Sequence, residues 1–252
     1  MTSNDDFLQK RVWVTGAGQG IGYATALAFS QAGAKVVGFD RHFAGEAYPF
    51  QTQLLDITDA QAVGEVCQRL LAQHPQLDVL VNGAGILRMG ATDALSDRDW
   101  QDCLAVNAGG AFNMFRHTLP VFRSQQRGAI ISVASNAAHV PRIGMSAYCA
   151  SKAALRSLCL SVALEMAPYG VRCNLVSPGS TDTPMQRGMW TSETAEQQTI
   201  AGFPQQFKLG IPLGKIATPQ DISEAILFLA SDRAGHITMQ DIVIDGGATL
   251  AA

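Results

Sequence analysis

The sequence predicts one α/β domain built on a doubly wound, mostly parallel seven-stranded sheet with helices on both faces, and three observations carry that expectation. Short apolar runs of strand length alternate with helix-length segments from Arg11 to Gly247. A glycine-rich turn follows the first run at once, and small or polar residues close most of the later ones. No linker, repeat or change of composition divides residues 1–252, so a single domain is expected. Its dinucleotide-binding half should span roughly residues 10–130 and its catalytic part the rest, with a lid over about 184–215.

Bulk properties narrow the function classes. Hydrophobic residues make up 47% of the chain and charged residues 15%, enough to build a large core and too little charge for disorder. A net charge of -3 leaves no electrostatic footprint for nucleic acid or a membrane surface. The longest apolar stretches are strand-sized, and residues 1–6 are polar and acidic, unlike a secretory leader, so a cytoplasmic protein is expected. Cys67, Cys103, Cys149, Cys159 and Cys173 have no metal-like spacing and read as reduced thiols, and the five histidines are scattered. No metal site is expected.

Taken in order, residues 11–15 form a first strand that runs into Gly16, Ala17, Gly18, Gln19, Gly20, Ile21 and Gly22. A helix over residues 20–31 follows, ended by Gly33. Strand, glycine turn and helix start in that sequence suit a pyrophosphate, because backbone N–H groups can approach its oxygens. The second strand, residues 35–39, ends in Asp40, where a carboxylate holds ribose hydroxyls and repels a 2′-phosphate. NAD is therefore favoured over NADP, although Arg41 stands next to it. Residues 41–51 are too short for a crossover helix and predict a loop or one helical turn.

A third strand over residues 53–55 leads to Asp56 and Ile57, and a helix over 59–73 follows, with Thr58 or Asp59 near its N-cap. Residues 77–81 give the fourth strand, closed by Asn82, Gly83, Ala84 and Gly85. Residues 96–124 read as one long helix that bends near Pro120 and carries a polar Asn107 in its middle. The fifth strand is expected over 128–133, a helix over 146–166, the sixth strand over 171–176, a helix opened by Pro219 over 219–230, and a last strand from Asp241. Residues 185–208 are polar and weakly periodic, which suits a lid of one or two short helices.

Tyr148 and Lys152, four apart on the helix from Ser146, share one face, and Ser135 follows the fifth strand. Phenol, ammonium and hydroxyl together make a proton-transfer device. A free tyrosine titrates near 10, so work near neutrality requires about 4 kcal/mol of phenolate stabilisation, part of which a nearby ammonium supplies. An isolated Tyr-x-x-x-Lys is an ordinary amphipathic helix; the glycine turn upstream gives this one its meaning.

These residues resemble the short-chain dehydrogenase/reductase family over essentially the whole chain. The match comprises Thr15, Gly16, Gly20, Ile21 and Gly22; Asp56; Asn82, Ala84 and Gly85; Asn107; Ser135; Tyr148 and Lys152; and Pro178, Gly179 and Thr183. Gly83 departs from it, since the family commonly has a second Asn there. The resemblance implies a Rossmann fold, Tyr148 as general base, Lys152 lowering its pKa and holding the nicotinamide ribose, Ser135 orienting the substrate oxygen, and Asn107 anchoring a water. It also implies that the glycine turn, Asp40, Asp56, Ile57 and Thr183 hold the dinucleotide, and that the chain is a homotetramer.

Residues 86–93, 141–148 and 206–216, with the shortened connection over 40–51, resemble a branch that oxidises a carboxylated cyclic diene-diol with NAD. That implies a cation for the carboxylate, with Arg88, Arg142 and Arg187 as candidates, Arg142 foremost, and Met89, Met145, Met185 and Trp190 as an apolar wall. Another short-chain dehydrogenase, such as a 3-oxoacyl thioester reductase, and a non-catalytic dinucleotide sensor are the competing readings. Docking of a neighbouring pathway enzyme is left open.

Overall fold

The structure, a computed structural model, describes residues 6–45 and 47–250, so residues 1–5 of the acidic start and the last two of the apolar tail lie outside it. The sheet strands are β1 (Arg11–Thr15), β2 (Lys35–Asp40), β3 (Gln51–Leu54), β4 (Val79–Asn82), β5 (Gly128–Val133), β6 (Val171–Pro178) and β9 (Asp241–Ile244). They lie in the order β3-β2-β1-β4-β5-β6-β9, and every pairing is parallel. The order reverses between β1 and β4, which opens a crevice at their carboxyl ends. Register then gathers the site: Thr15 lies opposite Asn82, Asn82 opposite Ser132, and Val133 opposite Val176.

Alternation along each strand decides which helices cover which face. Trp13 of β1 points to a core with Phe39, Leu80 and Ile130 that is closed by α2 (Ala60–Gln73), α4 (Gly110–Gln125) and α5 (Ser146–Met166). Val12 and Val14 point to the other core, where Phe29 of α1 (Gly20–Gln31) and Ile222, Ile226 and Leu229 of α8 (Pro219–Ala230) close it. Asp59 caps α2 by accepting from the N–H groups of Gln61 and Ala62. Thr218 and Asp221 form a reciprocal capping box ahead of Pro219 at the start of α8. Among the described residues no helix is long and apolar enough to cross a membrane.

Several boundaries differ from the expectations. The helix expected over 96–124 is α3 (Asp97–Leu104), a π turn over Ala105–Gly109, and α4, so the irregularity falls at Asn107 rather than at Pro120. Between β2 and β3 the described residues, 41–45 and 47–50, carry no helical turn, which is the loop form of the expectation. β3 pairs from Gln51 and ends at Leu54, because Leu55 turns into the core while Leu54 stays 64% exposed at this edge of the sheet. The lid contains α6 (Pro184–Arg187), α7 (Ala195–Ala201) and an antiparallel pair, β7 (Gly202–Phe203) with β8 (Lys208–Leu209), which the sequence did not suggest.

Candidate active site

A cavity of about 550 Å³ opens along the carboxyl ends of the strands and continues under the lid. Its first wall is the glycine turn. Gly16 has φ +74°, and a Cβ there would lie 2.7 Å from Ala84 Cα; a Cβ on Gly18 would lie 2.9 Å from the Asp40 carboxylate. Asp40 accepts the Gly18 N–H at 2.9 Å, so it shapes the turn as well as charging the cavity. Thr15 and Asn82 do not reach the cavity. Buried behind it, Thr15 Oγ1 accepts from the N–H groups of Gly83 at 3.1 Å and Ala84 at 3.3 Å, while Asn82 donates to Ser132 Oγ at 3.1 Å. Their part is to hold the walls that Gln19, Gly20, Ile21, Ala84 and Gly85 line directly.

Farther along, Asp56 and Ile57 line the cavity beside Asp40. Partial burial raises the Asp56 carboxyl, but hydrogen bonds from Thr58 and the Arg41 guanidinium 3.6 Å away bring it below the usual range. Arg41 is thus already paired. On the opposite side lie Pro178, Gly179 and Thr183, whose hydroxyl caps α6 at Gln186 N. A cradle that no side chain could share, backed by the Asp40 carboxylate, fits a dinucleotide pyrophosphate and ribose.

The reacting end is built from β5 and α5. Tyr148, Lys152 and Ser135 all line the cavity, with Lys152 Nζ 5.8 Å from the Tyr148 ring centroid. Lys152 is 4% exposed and donates to the Val133 carbonyl at 2.8 Å; burial draws its ammonium down to about 8. Burial lifts the Tyr148 phenol above its ordinary value, and the Ser135 hydroxyl beside it opposes that rise. The expected lowering by Lys152 is not the counterweight here, because its ammonium is turned to a backbone carbonyl.

Asn107, also expected among the reacting groups, lies behind the wall. Its Oδ1 accepts from Ile86 N–H at 2.8 Å, and its Nδ2 donates to Ile86 O at 3.0 Å and Ser151 Oγ at 2.8 Å. Ser151 in turn donates to the Tyr148 carbonyl at 2.7 Å, so the π turn braces α5 at the level of Tyr148. Both amide N–H groups are used in that brace.

The three candidate cations separate cleanly. Arg88 turns to α3 and pairs with Asp99 at 3.3 Å and Asp102 at 3.5 Å, away from the cavity. Arg187 forms a forked pair with Asp182 at 2.6 and 2.8 Å and is 63% exposed. Arg142 lines the cavity with Met145, without a carboxylate in salt-bridge range among the described residues, and burial lowers its guanidinium. Met89, Met185 and Trp190 line the cavity with them.

The profile of a family described as enoyl-(acyl carrier protein) reductase matches residues 16–249. A 2,3-dihydro-2,3-dihydroxybenzoate dehydrogenase of Escherichia coli (strain K12) is 68% identical over 247 residues, which cover 98% of this chain and all of the relative. A protein of the same name from Bacillus subtilis (strain 168) is 42% identical, with 96% of both chains covered. The solved structure of ligand-free Thermoplasma acidophilum aldohexose dehydrogenase superposes with a TM-score of 0.88 at 29% identity, covering 98% of this chain and 97% of that one. The chain belongs to the short-chain dehydrogenase/reductase family. Membership makes it an oxidoreductase whose Rossmann fold takes a nicotinamide cofactor, which the glycine cradle accommodates. Gly83, the departure from the family pattern, has no room for the missing Asn, since a Cβ there would lie 2.7 Å from the Thr15 carbonyl oxygen.

The sequence reading missed two residues. Tyr48 donates to the Gly18 carbonyl at 3.3 Å and steadies the glycine turn from the loop before β3. Lys208, which lies in the 206–216 run but was not singled out within it, enters the cavity from β8.

Proposed function

We propose that this dehydrogenase oxidises 2,3-dihydro-2,3-dihydroxybenzoate to 2,3-dihydroxybenzoate with NAD, a step toward an enterobactin-like catechol siderophore. The observation that carries the reading is the unpaired, half-buried Arg142 in the same cavity as Ser135 and Tyr148, in a chain 68% identical to a relative of that name. The runs at residues 86–93, 141–148 and 206–216 resemble that enzyme at the substrate loops, where activities within the family diverge.

Arg142 holds the ring carboxylate by charge-assisted hydrogen bonds. Ser135 and Tyr148 then face the ring hydroxyl that reacts. NAD, when bound, supplies the hydride acceptor. Tyr148 as phenolate takes the hydroxyl proton while the carbon loses hydride, giving a ketone; loss of the neighbouring ring proton then produces the aromatic catechol. The Ser135 hydroxyl favours the phenolate, and Lys152 presents its remaining N–H groups to ribose hydroxyls. Asp40 supports NAD over NADP, because its carboxylate disfavours a phosphate at the same place and Arg41 is engaged by Asp56.

A homotetramer in the cytoplasm completes the proposal. Trp100 on α3, Phe112 on α4 and Leu164 on α5 are exposed large apolar residues, as a helix-to-helix subunit contact requires. Purified protein incubated with the diene-diol and NAD should yield one NADH per catechol, and should run as a tetramer in light scattering. NADH without catechol would overturn the substrate assignment.

A further inference from the structure

Besides Lys152 at the Tyr148 end, two cations line the substrate end of the cavity, and neither has an ion pair among the described residues. Arg88 and Arg187 are held by Asp99, Asp102 and Asp182. Arg142, on the loop before α5, and Lys208, on β8, both line the cavity, and neither has a carboxylate in salt-bridge range among the described residues. Arg142 and Lys208 line the same cavity, and burial together with the Arg142 guanidinium lowers the Lys208 ammonium. Asp245, the carboxylate that exerts a pull on Arg142, is committed to Asn136, Gly247 and Thr249.

Lys208 is also held in place. Phe203 lies opposite it in the β7–β8 pair, and Nζ sits 5.4 Å from the Phe203 ring centroid, a cation-π contact that keeps the ammonium on that face. Gly202 has φ +91°, and a Cβ on Gly210 would lie 2.7 Å from the Ala201 carbonyl oxygen, so the pair is closely fitted to α7. Two confined like charges without a counter-ion are an anion site.

We propose that Lys208 is the second cation of the substrate-carboxylate site, so that one anion joins the β7–β8 strand pair of the lid to the Arg142 loop. The inference rests on the reading that the substrate is a ring carboxylate. It makes the carboxylate, rather than the ring, the group that fastens the lid. A neutral ring alcohol then gains nothing from Lys208.

The test compares wild type, Lys208→Met and Lys208→Arg at saturating NAD on two substrates, the diene-diol carboxylate and its neutral carboxamide. Lys208→Met should raise KM for the carboxylate by about tenfold or more and leave the carboxamide within roughly threefold, with Lys208→Arg recovering most of the loss. An equal loss on both substrates, or none on the carboxylate, overturns the proposal. Wild type inactive on both would defeat the substrate reading, not the clamp. Benzoate binding to the NAD-loaded protein then decides: weakening by about tenfold in Lys208→Met supports the clamp, and unchanged binding removes it.

Discussion

Replacing Lys152 with methionine should stabilise the cofactor-free protein while removing its turnover. The ammonium is 4% exposed and, among the described residues, has one hydrogen-bond partner, the Val133 carbonyl at 2.8 Å. Burial draws its pKa from 10.5 to about 8. At about 1.4 kcal/mol per unit, the charged form is disfavoured in the folded state by on the order of 3 kcal/mol. Methionine has similar length and no charge, and its loss of the Val133 hydrogen bond costs about 1–2 kcal/mol. The net gain is about 1–2 kcal/mol near neutrality, or roughly 2–8 °C in Tm for a chain of this size.

The sign with pH follows from linkage. A folded pKa below the unfolded one means that the unfolded chain binds more protons between about 8 and 10.5, so wild-type stability from this group rises with pH across that window. The gap between variant and wild type should therefore shrink as pH rises. Urea unfolding of both proteins without nicotinamide at pH 7 and pH 9.5, followed by tryptophan fluorescence, measures it. A variant less stable at pH 7, or a gap that does not narrow, would refute the assignment of Lys152 as a strained functional group.

Three further outcomes are expected. Tyr148→Phe should lower kcat by about 10²–10⁴ while NAD titrations remain unchanged, since it removes the proton acceptor and keeps the ring; because the phenol is raised above its ordinary value, wild-type turnover should climb with pH, as rapid-mixing assays can follow. Asp40→Asn should cut the NAD to NADP ratio in kcat/KM by about tenfold or more, because it removes the carboxylate but preserves a side chain that can accept from Gly18 N–H. Arg142→Met should cost about 2–3 kcal/mol in kcat/KM for the carboxylate substrate, whereas Arg88→Met, whose partners are Asp99 and Asp102, should cost under about 1 kcal/mol. Comparable losses in the two arginine variants would show that the cavity geometry does not govern carboxylate binding.

What the sequence made legible was local chemistry. Helices α1 and α5 run between the residues the pattern indicated, and Pro219 announced the start of α8. The expected reacting set, Ser135, Tyr148 and Lys152, was read from one strand end and one helix face, and the structure brings all three to one cavity. What stayed hidden depends on partners brought together by folding. Of three candidate arginines the chain favoured Arg142 only by its place between Ser135 and Tyr148; Asp99, Asp102 and Asp182 separate them in space. The π turn at Asn107 lies inside an unbroken helical pattern, since one extra residue in a turn leaves no compositional mark. Lys208 and Tyr48 act across loops, where the residues they meet are distant in sequence.

The central claim is that this cavity oxidises a ring carboxylate with NAD rather than reducing a thioester with NADPH. The most direct measurement compares kcat/KM for the diene-diol with NAD and for a 3-oxoacyl thioester with NADPH, on the same purified protein. The account predicts that the diene-diol reaction exceeds the thioester reaction by about 10³ or more and yields a catechol. Faster thioester reduction with NADPH would contradict it.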